Sequence, residues 1–507
     1  MKLKELAGAV ALAAVAPQAV SGQAAPAGVA APARTAAVDE VAPRIDAFFR
    51  DYAREAHVPG LVYGVVKDGR LVLVRGIGVQ DTERKRPVTA DSRFRIASMS
   101  KAFTALGILK LRDAGKLSLD APAEQYVPEM RGWTYPTSDS RRIRVSDLLH
   151  HTAGYVEDNP WGDRQQPLSE PAFSAMLRAG VPFANAPGLG MEYSNLGYAT
   201  LGRIISNVSG TRYQDWIGRE LLAPLGMRST TYDVFAGPQD RRALGYRWQD
   251  DSWVREPDLA DGAFGAMGGL DTTANDYWHW VAFLLSAWPA RDGAEAGPVH
   301  RATAREIVEG SNFASGRMRP AILGAPCRQA VAYGMGWNAV DDCDLGRIVT
   351  HTGGYPGYGS VVMLLPDAGV GVFAFANRTY AAPVLPTSRA LFALREAGLA
   401  PDGPVSVSPG LAQAYAAAKA AWTAGDPERA PLAVNVLLDR DAARRRAEIA
   451  RLKAAVGECA MSEPIEPVSA MEGVFAWTCG RGRVAGRVQR APTPQLSLQV
   501  LDYRPAP

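Results

Sequence analysis

RIASMSKAFTALGILKL, residues 95–111, puts a serine and a lysine three positions apart at the start of a run of good helix formers. Ser98 and Lys101 therefore lie one turn apart on the same helical face. Two readings compete. Ser98 caps the helix while Lys101 is solvated, or Ser98 is a nucleophile and Lys101 its activator. Two downstream motifs bear on the choice. NAPGLGMEYSNLGYATLG contains Tyr193-Ser194-Asn195, and VTHTGGYPGYGS contains His351-Thr352-Gly353-Gly354. Each is ordinary alone: a loop rich in Asn and Gly, and a histidine on a strand. Their order along the chain, and their expected settings of helix start, loop and strand, favour chemistry.

Working outward, VDEVAPRIDAFFRDYAREA places Val41, Ile45, Phe48, Phe49 and Tyr52 on one helical face. GLVYGVVKDGRLVLVRGIGV reads as a hairpin turning at Lys67-Asp68-Gly69-Arg70. Residues 110–330 mix helical stretches with long Pro/Gly-rich loops and few strand signals, which predicts a mostly helical insertion. YGMGWNAV, GRIVTHTGG, GSVVMLLPD and GVGVFAFAN then read as short strands, followed by a helix at 384–397. Their connections are too short for crossovers, so one antiparallel sheet built from both ends of this region is expected. PDGPVSVSPG, 401–410, reads as a linker to a small α+β domain at 411–507, with two helices and three strands. Its Arg cluster at 440–446 reads as a solvated helix face.

A chain of 507 residues suggests two or three domains. Hydrophobic content of 47% with 21% charged residues excludes a disordered chain, and a net charge of +3 gives no reason to expect nucleic acid as a partner. Lys2 and Lys4 ahead of an apolar run from Leu6 to Ala16 predict a secretory signal over 1–22, with a flexible linker at 23–38. No stretch is long and apolar enough for a stable membrane span. An exported chain with four cysteines suggests disulfides, and locality pairs Cys327 with Cys343 and Cys459 with Cys479. On this reading Cys459 ends a helix and Cys479 ends a strand. No Cys/His spacing resembles a zinc site, and no metal or organic cofactor is expected.

The three motifs together resemble the serine β-lactamase and penicillin-binding protein superfamily. They are most similar to its class C β-lactamase-related branch of β-lactamases, D-amino-acid peptidases, DD-peptidases and esterases. RFRIASMSK, VSDLLHHTAGY, PGLGMEYSNLGY, LLAPLGMRSTTYD and HTGGYPGYGSVVMLLPDAGVGVFAFAN carry the resemblance, across about residues 40–398. It implies an α+β fold: a β-lactamase-like antiparallel sheet flanked by helices, with a mostly helical insertion. It places the hydrolase domain at 39–400. It also implies that the backbone N–H groups of Ser98 and Gly354 form an oxyanion hole, with Thr352 and Gly353 beside the substrate. GxSxG and HExxH are both absent, which removes the α/β-hydrolase and zincin readings.

A serine hydroxyl needs a base at neutral pH. Lys101 serves only if burial depresses its pKa; Tyr193 is the second candidate, since a phenol close to an ammonium gives up its proton more readily. Asn195 can hold the lysine and a substrate amide at once. His351 departs from the lysine usual in penicillin-recognising members, and a neutral histidine is poorly suited to a substrate carboxylate. The expectation is an exported serine hydrolase acting through an acyl-enzyme on Ser98, on a small ester or amide, a D-amino-acid peptide being one candidate. The alternative is a β-lactamase or penicillin-binding-like protein that deacylates slowly, with a binding role for the C-terminal domain. His151 reads as structural, Trp278 and Trp280 as core, and the glycines at 262, 265, 268 and 269 carry no phosphate-binding pattern. The sequence leaves the oligomeric state open.

Overall fold

The computed structural model describes residues 36–310, 312–400 and 407–506. The expected signal segment lies outside them, as does most of the 23–38 linker, whose last three residues already belong to a helix at Ala36–Glu55. That helix buries Val41, Ile45 and Phe49 against one face of an eight-stranded antiparallel sheet. In sheet order the strands are Arg70–Gly78, Gly60–Lys67, Val370–Ala376, Tyr358–Leu365, Gly346–Tyr355, Asn338–Asp342, Arg328–Tyr333 and Asn312–Met318. The N-terminal hairpin inserts beside the last strand in sequence, with Val62 opposite Phe375, so both ends of the segment make one sheet. Asp68 and Gly69 take φ of +49° and +74°, the left-handed pair a two-residue hairpin turn needs.

The last two strands in sheet order correct the helical reading of the region before residue 330. Asn312–Met318 pairs with Arg328–Tyr333 as a hairpin, and the Cys327–Cys343 bridge ties its second strand to the end of the next. Most of Asn312–Met318 is exposed and carries Gly316, Arg317 and two serines or alanines in place of a β-branched alternation, so it gives little strand signal.

The opposite sheet face is covered by the helical insertion, where the main core gathers Phe103, Leu106, Ile204, Trp280 and Phe373. The long helices there are Lys101–Asp113, Asn195–Ser209 and Ala274–Leu285. Trp280 is fully buried and Trp278 packs on the core as expected. Helix Val384–Glu396 lies with Ala36–Glu55 on the outer face.

Residues 407–506 form a separate sheet with its own core around Trp422, Phe475 and Trp477. A helix already begins at Pro409, inside the expected 401–410 linker. Cys459 and Cys479 are bridged, yet Cys459 does not end a helix. The helix stops at Val456, and Cys459 sits in a short strand opposite Cys479, so the bridge joins two strands. Arg445 departs from the solvated face: it is buried and donates to the carbonyls of Val436 and Leu501. Among the described residues no helix is long and apolar enough to cross a membrane.

Candidate active site

Ser98 lies in a 3₁₀ turn, Ala97–Ser100, that leads into helix Lys101–Asp113. Ala97 before it has φ of +49°, a left-handed conformation that costs a non-glycine residue roughly 1–2 kcal/mol. No side chain caps the helix, and Ser100 Oγ accepts the Leu270 N–H at 3.1 Å. The capping reading of Ser98 is therefore not what the structure adopts.

Lys101 is completely buried. Its Nζ donates to Ser98 Oγ at 3.0 Å, to Asn195 Oδ1 at 2.7 Å and to the Met267 carbonyl at 2.9 Å. It also stands 4.9 Å from the Tyr193 ring centroid and 5.5 Å from that of Tyr198. Burial penalises the ammonium more than the nearby carboxylates of Asp163 and Asp158 favour it, and lowers Lys101 to about 7.

Tyr193 occupies the loop before helix Asn195–Ser209, half-buried, with Lys101 Nζ over its ring and Ser98 among the groups that act on its phenol. Burial, reinforced by Asp163 and Asp158, holds the phenol well above its ordinary range against the lowering effect of Ser98. Burial thus pushes both groups toward their neutral forms, the lysine amine down and the phenol up.

The start of helix Asn195–Ser209 is fixed twice. Ser194 Oγ accepts the Gly197 N–H at 3.1 Å, and Asp158 accepts those of Asn195 and Leu196 at 2.7 and 2.8 Å. Asn195 Nδ2 donates to Asn159 Oδ1 at 2.6 Å, so its amide is held from both ends. His151 supports the same loop. Its Nδ1 accepts the Ser194 N–H at 3.1 Å, its ring lies 4.3 Å from that of Tyr193, and burial keeps it neutral.

Strand Gly346–Tyr355 brings the third motif to Ser98. A Cβ added at Gly353 would meet the Ile96 carbonyl oxygen at 2.3 Å and Ala97 Cβ at 3.0 Å, so only a bare backbone lets the strand approach the turn that carries Ser98. Gly354 lies under the Tyr380 ring, and Thr352 is exposed beside it. His351 is buried; Nδ1 donates to the Thr352 carbonyl at 2.6 Å and Nε2 accepts from Tyr333 Oη at 3.2 Å. Burial, with the Lys101 charge second, lowers it to about 4, so it is neutral at pH 7. The structure thus gathers Ser98, Lys101, Tyr193, Asn195, His351, Gly353 and Gly354 at one place, while the four cysteines stand in the two bridges.

Sequence reading missed four contributors: Asp158, Asp163, Met267 and Tyr380. Asp158 and Asp163 lie in the loop segment VEDNPWGD, which has no periodicity to announce them. Met267 acts through its carbonyl, which no side-chain pattern reports; its glycine-rich surroundings exist for close packing, since a Cβ at Gly265 would collide with Tyr213 Oη at 2.2 Å. Asp163 is buried, accepts from Tyr380 Oη at 3.0 Å, and is raised to about 6 by burial.

Residues 45–395 match the Beta-lactamase family model. Protein flp of Staphylococcus aureus is 29% identical over 341 residues, 66% of this chain and 62% of that protein's length. The chain thus matches less than two thirds of this relative. A class C β-lactamase from Rhodobacter sphaeroides superposes with a TM-score of 0.54 at 26% identity, over 70% of this chain and 99% of that one. An octameric penicillin-binding protein homologue from Pyrococcus abyssi superposes with a TM-score of 0.59 at 20% identity, over 89% of this chain and 96% of that one, a likeness of fold. With the family match spanning more than half of its length, this chain belongs to the β-lactamase family, within the serine β-lactamase and penicillin-binding protein superfamily.

Proposed function

We propose that the protein is an exported serine hydrolase that cleaves a small, uncharged ester or amide through an acyl-enzyme on Ser98. The observation that carries this reading is a fully buried lysine whose amine lies 3.0 Å from a serine hydroxyl, where burial lowers its pKa. In its neutral form Lys101 takes the Ser98 proton as Oγ attacks the carbonyl carbon. The backbone N–H groups of Ser98 and Gly354 receive the oxyanion. Tyr193, still protonated, donates to the leaving group and is reprotonated from Lys101. A water then attacks the acyl carbon with the same pair as base, releasing the acid and restoring Ser98.

Substrate charge follows from the surroundings. His351 is neutral where a lysine would attract a carboxylate, and Asp163 and Asp158 are the acids nearest Lys101. Both features disfavour an anionic substrate. The identity with a class C β-lactamase favours a second reading, acylation by β-lactams with slow deacylation. Export rests on the two disulfides and on the signal-like first 22 residues. The deciding experiment compares a chromogenic cephalosporin with a short-chain aryl ester, with Ser98→Ala as control. Faster ester turnover that vanishes in Ser98→Ala is expected. Preferred turnover of the cephalosporin would replace this reading with the second, and retained activity in Ser98→Ala would remove both.

A further inference from the structure

Beside Ser98, a contact bridges the two sides of the fold. Tyr380 follows the strand Val370–Ala376, and its phenol donates to Asp163 Oδ2 at 3.0 Å, on the helical side. Its ring lies on Gly354, where an added Cβ would meet Tyr380 Cδ1 at 2.7 Å. At the other end, Asp163 belongs to the turn Gly162–Gln165, and Gly162 is pressed on Asn195, where a Cβ would meet Asn195 Cβ at 2.7 Å. The bridge therefore runs from the strand that would hold the oxyanion to the side chain that holds Lys101.

The frame around Tyr380 is built to present it. Asn377 is buried and accepts the Gly60 N–H at 2.6 Å, while Thr379 Oγ1 accepts the Gly357 N–H at 2.8 Å. The Tyr380 N–H donates to the Tyr358 carbonyl at 3.1 Å. Its φ is +54°, unfavourable for a tyrosine, and its side chain remains 45% exposed. A bulky residue held in a left-handed conformation, half exposed and bonded across to Asp163, fits a functional constraint better than core packing.

We propose that Tyr380 is a specificity-determining residue: with its ring on Gly354 and its phenol on Asp163, it closes one end of the cleft and restricts the acyl group to short chains. The proposal rests on the acyl-transfer reading of Ser98. Long acyl chains reach the nucleophile only when the Tyr380–Asp163 bond opens and the ring swings away.

The test uses the full chain with p-nitrophenyl acetate and p-nitrophenyl octanoate, in wild type, Tyr380→Ala and Tyr380→Phe. A methyl fluorophosphonate, followed by intact mass, reports the Ser98 nucleophile separately. The octanoate-to-acetate ratio of kcat/KM is expected to rise at least tenfold in Tyr380→Ala and by less in Tyr380→Phe, which keeps the ring and loses only the bond. A merely structural role would lower both substrates together and leave the ratio in place. A ratio within twofold of wild type in both variants, with Ser98 still labelled, overturns the clasp and leaves the acyl-transfer reading standing. An unlabelled Ser98 with no ester turnover overturns the acyl-transfer reading and the clasp with it.

Discussion

The balance at Lys101 is set by burial against two carboxylates, and it has a sign that kinetics can read. Below about 7 the amine is an ammonium and cannot accept the Ser98 proton; above it the amine is free. The kcat/KM profile on a neutral ester is therefore expected to rise about tenfold per pH unit on its acid side and level off near pH 7. His351, at about 4, and His151, pushed well below its ordinary value by burial, stay neutral through this range. Tyr193, held well above its ordinary range, keeps its proton. Asp163 favours the ammonium, so Asp163→Asn removes that support and is expected to move the rise to lower pH. A rise displaced to higher pH in this variant would show that Asp163 does not act on Lys101 through its charge.

Two contacts between elements hold the groups around Ser98 in register. Gly353 lets the strand Gly346–Tyr355 rest on the turn carrying Ser98, with the Ile96 carbonyl only 2.3 Å from where a Cβ would stand. Gly353→Ala is expected to force the strand and the turn apart, lowering turnover at least a hundredfold and stability by about 1–3 kcal/mol. Esterase kinetics and urea unfolding check it. Asp158 caps helix Asn195–Ser209 through two backbone N–H groups and thereby sets Asn195 against Lys101. Asp158→Ala is expected to cost about 1 kcal/mol as a lost cap and to reduce kcat more than KM, because the displaced Asn195 no longer fixes the lysine. Equal losses in a variant of an unrelated cap, such as Ser169→Ala on helix Glu170–Ala179, would argue against that coupling. Elements like these were unevenly legible. The Val62 and Phe375 strands announce themselves through runs of β-branched and aromatic residues, whereas Asn312–Met318 is exposed and carries almost no such pattern.

At the scale of the whole molecule, the hydrolase segment and residues 407–506 have separate cores and separate disulfides. The C-terminal core is small, gathered around Trp422, Phe475 and Trp477, so its bridge carries a large share of its stability. Replacing Cys459 and Cys479 together by serine is expected to destabilise this unit by about 3 kcal/mol. It should leave the unfolding of the hydrolase segment in place, as two calorimetric transitions would resolve. The sequence by itself showed the family, the three motifs around Ser98, Tyr193 and His351, and the cysteine pairs, because each rests on residue types at fixed short spacing. Only the tertiary structure decided that Lys101 is fully buried against Ser98 and Asn195, that Asp158 caps the helix carrying Asn195, and that Tyr380 reaches Asp163. Burial and charge at a point are sums over groups far apart in the chain, as with Asp163 and Tyr380, which touch across 217 residues. No local pattern carries that sum.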